Sequence, residues 1–250
     1  VETQLQSTME NENAKSAWCI VMEVETGKVL AWASYPTFDQ NEHKEIPSYQ
    51  DAISTSTYEP GSVMKPFTYA TAIDTNVYPY NKTYVSYQFW YDYDASTGKI
   101  TRLPIGTNSP YPYIADALDE NFGEITFDQG LAFSSNVAIC ELLANYINYS
   151  QYSKYLDAFG FFQKVNTPYV DQSLGVKNIG LPTDYLSTGF GQASSITVLQ
   201  LCQAYTAIFN DGTMVRPYVI DSIVDSDTGK VEKKYKKKAV GTPISSTTAK

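Results

Sequence analysis

The chain has 250 residues, enough to bury a sizeable core as one large domain or two small ones. Its 18 Lys and Arg against 27 Asp and Glu leave a net charge of −9, which argues against nucleic acid as a partner. No apolar run approaches the ~18–20 residues of a membrane span, and the single histidine, His43, lies in a polar loop, so a histidine-built metal site is excluded.

Residues 1–16 are polar, with Leu5 and Met9 at helical spacing, and predict an entry helix. Val1-Glu-Thr-Gln-Leu5 is neither a start nor a signal peptide, so the chain reads as a segment of something longer. Residues 17–24 read as a buried strand, Glu25-Thr-Gly-Lys28 as a tight turn, and residues 29–34 as the partner strand of a hairpin. A polar loop is expected over residues 35–57, broken by Pro36 and Pro47.

Pro60-Gly61 then delivers Ser62 to the head of an apolar, helix-period run through Met64, Phe67, Ala70 and Ile73. Lys65 falls one turn after Ser62 on the same face. A serine hydroxyl becomes a nucleophile only when a nearby base takes its proton, and lysine can do so where burial lowers its pKa. Ser62 and Lys65 are therefore the candidate nucleophile and base, with a backbone N–H at the helix start available to a developing oxyanion. Pro66 removes one early backbone bond and predicts a distorted first turn. The chain carries a second Ser-x-x-Lys, Ser96-Thr-Gly-Lys99, which reads as a turn with no helix behind it.

Residues 77–113 read as an irregular stretch dense in Tyr, Pro, Gly and Asn. The chain's 21 tyrosines suit either a carbohydrate- or peptide-facing surface or plain compositional drift. Residues 125–133 predict a helix capped by Thr126, then Ser134-Ser-Asn136 at a junction, then a second helix over 137–146. A short helix is expected over 151–159 and a Gly/Pro-punctuated loop over 174–191. The strongest and most buried helix runs over 196–209 and is stopped by Asn210-Asp-Gly212. Residues 214–224 read as extended, with Pro217 implying an edge or irregular strand. Asp225–Lys230 then turns into the lysine-rich run 231–238, a solvated hairpin or a patch for anionic cell-surface polymer. Cys19, Cys140 and Cys202 read as small core hydrophobes.

Three ordered segments, Glu59-Pro-Gly-Ser-Val-Met-Lys-Pro-Phe67, the stretch 125–137 and Gly189-Phe-Gly-Gln-Ala-Ser-Ser195 with its following helix, together resemble the transpeptidase domain of class B penicillin-binding proteins. Tyr35-Pro-Thr-Phe-Asp39 and Asn210-Asp-Gly-Thr-Met-Val-Arg-Pro217 resemble it too. The resemblance implies an α+β fold, an antiparallel sheet flanked by helices with a helical subdomain, and a single domain over 1–250. It makes Ser62 the acylated nucleophile, Lys65 its base, Ser134 a proton-relaying hydroxyl and Asn136 a hydrogen-bond partner of the substrate. Ser135 stands where other members carry Asp and is assigned no role. The implied reaction is D,D-transpeptidation of peptidoglycan stem peptides, blocked by β-lactams, without cofactor or metal. The implied setting is the outer face of the bacterial cytoplasmic membrane, with an anchor outside the chain and partners among cell-wall synthesis or division proteins. Lys-Ser/Thr-Gly, the family's third motif, does not occur in the 250 residues, and its strand and the sheet's remaining strands are expected beyond Lys250. A β-lactamase or sensor of the same fold and a non-catalytic wall-peptide-binding module are the alternatives.

Overall fold

A computed structural model describes residues 1–37, 41 and 49–250; His43, part of the loop expected over 35–57 and the end of Tyr35–Asp39 lie outside them. In chain order the elements are α1 (Glu2–Glu12), β1 (Ala17–Met22), β2 (Val29–Tyr35), α2 (Ala52–Thr55), a 3-10 turn (Gly61–Met64) and α3 (Lys65–Asp74). Next come β3 (Thr83–Val85), β4 (Gln88–Asp94), β5 (Lys99–Leu103), β6 (Ile114–Ala115), a 3-10 turn (Ala117–Asp119), β7 (Glu124–Thr126), α4 (Phe127–Ala132), α5 (Asn136–Asn145) and α6 (Tyr149–Ala158). The chain continues through α7 (Pro182–Gly189), α8 (Val198–Phe209), β8 (Met214–Val215), β9 (Ser222–Val224), β10 (Val231–Lys234) and β11 (Ala239–Gly241). The α+β class is as the sequence implied. No described helix is long and apolar enough to cross a membrane.

The chain divides into two compact units, one of Val1–Thr57, Ala158–Gly175 and Ile196–Lys250, the other of Tyr58–Asp157 and Val176–Ser195. In the first, β1 and β2 form the expected antiparallel hairpin, Trp18 facing Ser34 and Ile20 facing Trp32. The strand expected to be buried is only half-buried. Trp18, Ile20 and Trp32 pack on a small core of Ile53, Val165 and Leu199. Ile53 comes from α2, a helix lying inside the stretch expected to be loop. Its signal was local: Asp51 accepts from Ser54 N–H at 2.9 Å and caps the turn. α8 is the buried helix expected, capped by Thr197, which accepts from Gln200 N–H at 3.1 Å. Its inner face is not purely apolar. Gln200 is buried and donates to the carbonyls of Gln163 and Leu174, which satisfies its amide. The extended run 214–224 divides into β8 and β9 around Pro217, which cannot donate to a ladder. β8 pairs with β11 and β9 with the fully exposed β10, the solvated reading of the lysine run. Residues 246–249 form turns.

In the second unit α5 is the central helix, packed against α3, α7, β4 and β5. It is apolar around most of its circumference, and residues Val137 to Leu143 are all buried. Cys140 lies among them as a buried free thiol, while Cys19 and Cys202 are half-buried. Glu141 enters this core only because it pairs with Arg102. The stretch 77–113, expected to be irregular, holds a three-stranded antiparallel sheet in the order β5-β4-β6, with β3 paired to β7. Alternation was masked there because aromatic residues occupy both faces of β4: Phe89 and Tyr91 point inward and are fully buried, while Trp90 stacks on Tyr113. Tyr78, Tyr84 and Tyr91 are core, and Tyr80 and Tyr113 are exposed, so most of that aromatic content is packing. The expected loop 174–191 contains α7, started by Pro182, whose missing N–H costs nothing in a first turn. The helix expected from Ile125 starts two residues later, because Glu124–Thr126 pairs with β3; Thr126 is its cap as read, closing a capping box with Gln129.

Candidate functional site

The turn that carries Ser62 is built by local features. Gly61 sits at φ 68° and hands the chain to the 3-10 turn. Pro66 has no N–H to give to the carbonyl four residues back, which belongs to Ser62. That carbonyl instead accepts from Lys65 N–H, the three-residue bond of a 3-10 turn, and α3 begins only there. The distortion expected from Pro66 is thus the geometry that carries Ser62. Two bonds from outside hold the turn: Gly61 N–H donates to the Gly191 carbonyl at 2.8 Å, and Glu59 accepts from Ala193 N–H at 2.7 Å. Gly191 lies at φ 86°, and a Cβ on it would sit 2.0 Å from the Gly61 oxygen. The segment Gly189–Ser195 therefore buttresses the turn, a role sequence reasoning did not assign. Its signal was the repeated glycine.

Ser62 is exposed, and Lys65 is buried at 2 % exposure. Lys65 Nζ lies 3.1 Å from Ser62 Oγ and 2.9 Å from Ser134 Oγ, and it also donates to the Ser134 carbonyl. An ammonium has three N–H bonds, and these three oxygens match them. The carbonyl can only accept, whereas either hydroxyl can turn and donate to a neutral amine. Burial is the main influence on Lys65 and lowers its pKa from 10.5 to about 8; the charge of Asp116 works against it. The neutral amine that a base requires therefore forms nearer neutral pH than in an ordinary lysine.

Ser134 reaches Lys65 from the junction between α4 and α5. Its φ of 59° turns both its hydroxyl and its carbonyl onto Nζ. Ser135 caps α5, its hydroxyl accepting from Ala138 N–H at 3.0 Å and donating to Asp116 at 2.9 Å. Asn136 opens α5, half-buried, with its amide aimed by a 2.9 Å bond to the Ala115 carbonyl. That bond takes one of two N–H groups on the amide. Ser62, Lys65 and Ser134 are thus brought together, with Asn136 on the same junction as Ser134. The second Ser-x-x-Lys is not part of the cluster: Ser96 bonds Asp94 in an exposed turn. Asp116, buried at the end of β6, is the group that sequence reasoning missed. Among the described residues no cluster of His, Cys, Asp or Glu could hold a metal ion.

A hydroxyl, a desolvated amine and a second hydroxyl in line form a proton path from an activated nucleophile to a leaving group. Residues 17–250 match the family described as the penicillin binding protein transpeptidase domain. The chain is 30 % identical over 228 residues to a peptidoglycan D,D-transpeptidase FtsI homolog of Mesostigma viride, covering 88 % of this chain and 36 % of that protein. It is 28 % identical over 265 aligned positions to stage V sporulation protein D of Bacillus subtilis, covering all of this chain and 38 % of that one. The crystal structure of penicillin binding protein 2X from Streptococcus thermophilus superposes with a TM-score of 0.82 at 26 % identity, over 99 % of this chain and 34 % of that one. The chain spans little more than a third of the length of these curated relatives. On the match of all but its first 16 residues, the chain belongs to the penicillin binding protein transpeptidase domain family.

Proposed function

We propose that this chain carries out the acyl-transfer chemistry of a peptidoglycan D,D-transpeptidase, with Ser62 as nucleophile, Lys65 as base, Ser134 as proton relay and Asn136 as substrate anchor. The observation that carries the reading is the buried Lys65 amine bonded to both the Ser62 and the Ser134 hydroxyls. The relatives' names support the reaction class. Ser62 Oγ attacks the carbonyl carbon between the two terminal D-alanines of a stem peptide while neutral Lys65 takes its proton. Ser62 N–H, in the first turn of its 3-10 helix and without an intrahelical acceptor, faces the developing oxyanion. The C–N bond breaks as the proton passes from Lys65 through Ser134 Oγ to the leaving nitrogen, and D-alanine departs. An amine of a neighbouring stem peptide then attacks the ester and returns its proton by the same path, restoring Ser62. A β-lactam enters the first half and stalls at the ester. The substrate puts this chemistry on the outer face of the bacterial cytoplasmic membrane, among proteins of cell-wall synthesis or division.

Intact-mass measurement after incubation with penicillin tests the reading. One adduct is expected, mapped to Ser62 and lost in Ser62→Ala. An adduct that persists in that variant, or maps to Ser96, overturns it; fast release of the adduct would favour a β-lactamase.

A further inference from the structure

Asp116 is 3 % exposed and directly follows β6. One carboxylate oxygen accepts from Ser135 Oγ at 2.9 Å and from Val137 N–H, in the first turn of α5, at 3.0 Å. The other accepts from Tyr87 N–H at 3.2 Å, and Asp116 N–H returns a bond to the Tyr87 carbonyl at 3.0 Å. The carboxylate therefore ties β6 and the strand entry at Tyr87 to the start of α5, the helix end that presents Ser134 and Asn136. A negative charge at a helix N-terminus is also favourable to the dipole.

Among the charges around this group, Lys65 is the cation that its charge acts on. Tyr69 and Tyr84 face it and stay neutral, because burial pushes both phenols up well beyond the working range. Burial likewise holds Cys140 as a thiol. Glu141 is already paired with Arg102.

We infer that Asp116 is a positioning residue of the reaction: it orients the Ser134–Asn136 junction through Ser135 and the first turn of α5, and its charge favours the Lys65 cation. The Ser135 hydroxyl reaches a carboxylate supplied by the residue that follows β6. Removing that negative charge makes the Lys65 cation less favourable, so the neutral amine forms at lower pH. Removing only the Ser135 hydroxyl loosens the junction and leaves the charge in place.

This inference rests on Lys65 being the base, and the test separates the two. The rate of Ser62 acylation by a chromogenic penicillin is followed from pH 5 to 10 in the full-length protein. In Asp116→Asn, whose melting is checked first, the midpoint should move toward lower pH by on the order of half a unit relative to wild type. In Ser135→Ala the plateau rate should fall while the midpoint does not move to lower pH. A midpoint unmoved in Asp116→Asn, in a wild type that does acylate Ser62, overturns the inference alone. A wild type that forms no Ser62 adduct overturns the proposed function first. If Asp116→Asn does not melt cooperatively, the double variant Asp116→Ser with Ser135→Asp returns a carboxylate to the same helix end. A midpoint at the wild-type value then supports the inference, and a lower one overturns it.

Discussion

The chain contains Ser-x-x-Lys twice, and the two copies have opposite surroundings. At Ser96–Lys99 the serine backs onto its own turn, donating to Asp94 at 2.6 Å, while Lys99 opens β5 with its side chain in water. The hydroxyls of Ser96 and Thr97 draw the exposed Asp94 carboxyl down to about pH 2, the ordinary behaviour of a carboxylate capping a polar turn. At Ser62–Lys65 the lysine is sealed under α5, and its bonds run to hydroxyls and a carbonyl. Spacing is identical in the two copies. Desolvation of the amine is what differs, and with it the ability to accept a proton at neutral pH.

The largest expected effect breaks that contrast at the base. Lys65→Arg keeps a positive charge but cannot give it up, so penicillin acylation should drop by about 10³-fold. Lys99→Arg should leave the rate within about twofold, as a surface change does. Near-normal labelling of Lys65→Arg would move the base role to another residue.

A smaller effect is expected from the support of the turn. Gly191 and Gly98 both have positive φ, but a Cβ on Gly191 meets the Gly61 backbone whereas one on Gly98 meets nothing within 4 Å. Gly191→Ala should therefore displace Ser62 and slow acylation by about 10²-fold. Gly98→Ala should cost some stability and leave acylation unchanged. Equal acylation rates in the two variants would show that the Gly61–Gly191 contact does not position Ser62.

The last effect is on stability and not on rate. Lys65 has a folded pKa of about 8 against 10.5 unfolded, so the native state loses its proton first as pH rises. Below pH 8 the buried cation costs folding about 3 kcal/mol, and this cost is relieved between about pH 8 and 10.5. Lys65→Met lacks the titration. Its unfolding free energy minus that of wild type should fall as pH rises through that window, and chemical denaturation at pH 7 and 10.5 measures the change. A difference that stays constant would mean that Lys65 is not desolvated as placed.

What could be read along the chain was whatever its nearest neighbours decide. The caps at Thr126 and Thr197, the β1–β2 hairpin, the Pro66 distortion and the one-turn spacing of Ser62 and Lys65 depend on bonds spanning a few residues. Helices α2 and α7 escaped because their polar and Pro/Gly-rich sequences resemble loops, and β4 escaped because its aromatics hide the alternation. Family resemblance supplied Ser134 and Asn136, since nothing local links them to residues some seventy positions earlier. The tertiary structure alone decided that Lys65 is buried, that Ser134 meets it from 69 residues away, and that Ser135 reaches Asp116 across 19 residues. A hydrogen bond between neighbours is set by backbone geometry. The dielectric around an amine is set by everything that packs on it, and that is known only once the chain has folded.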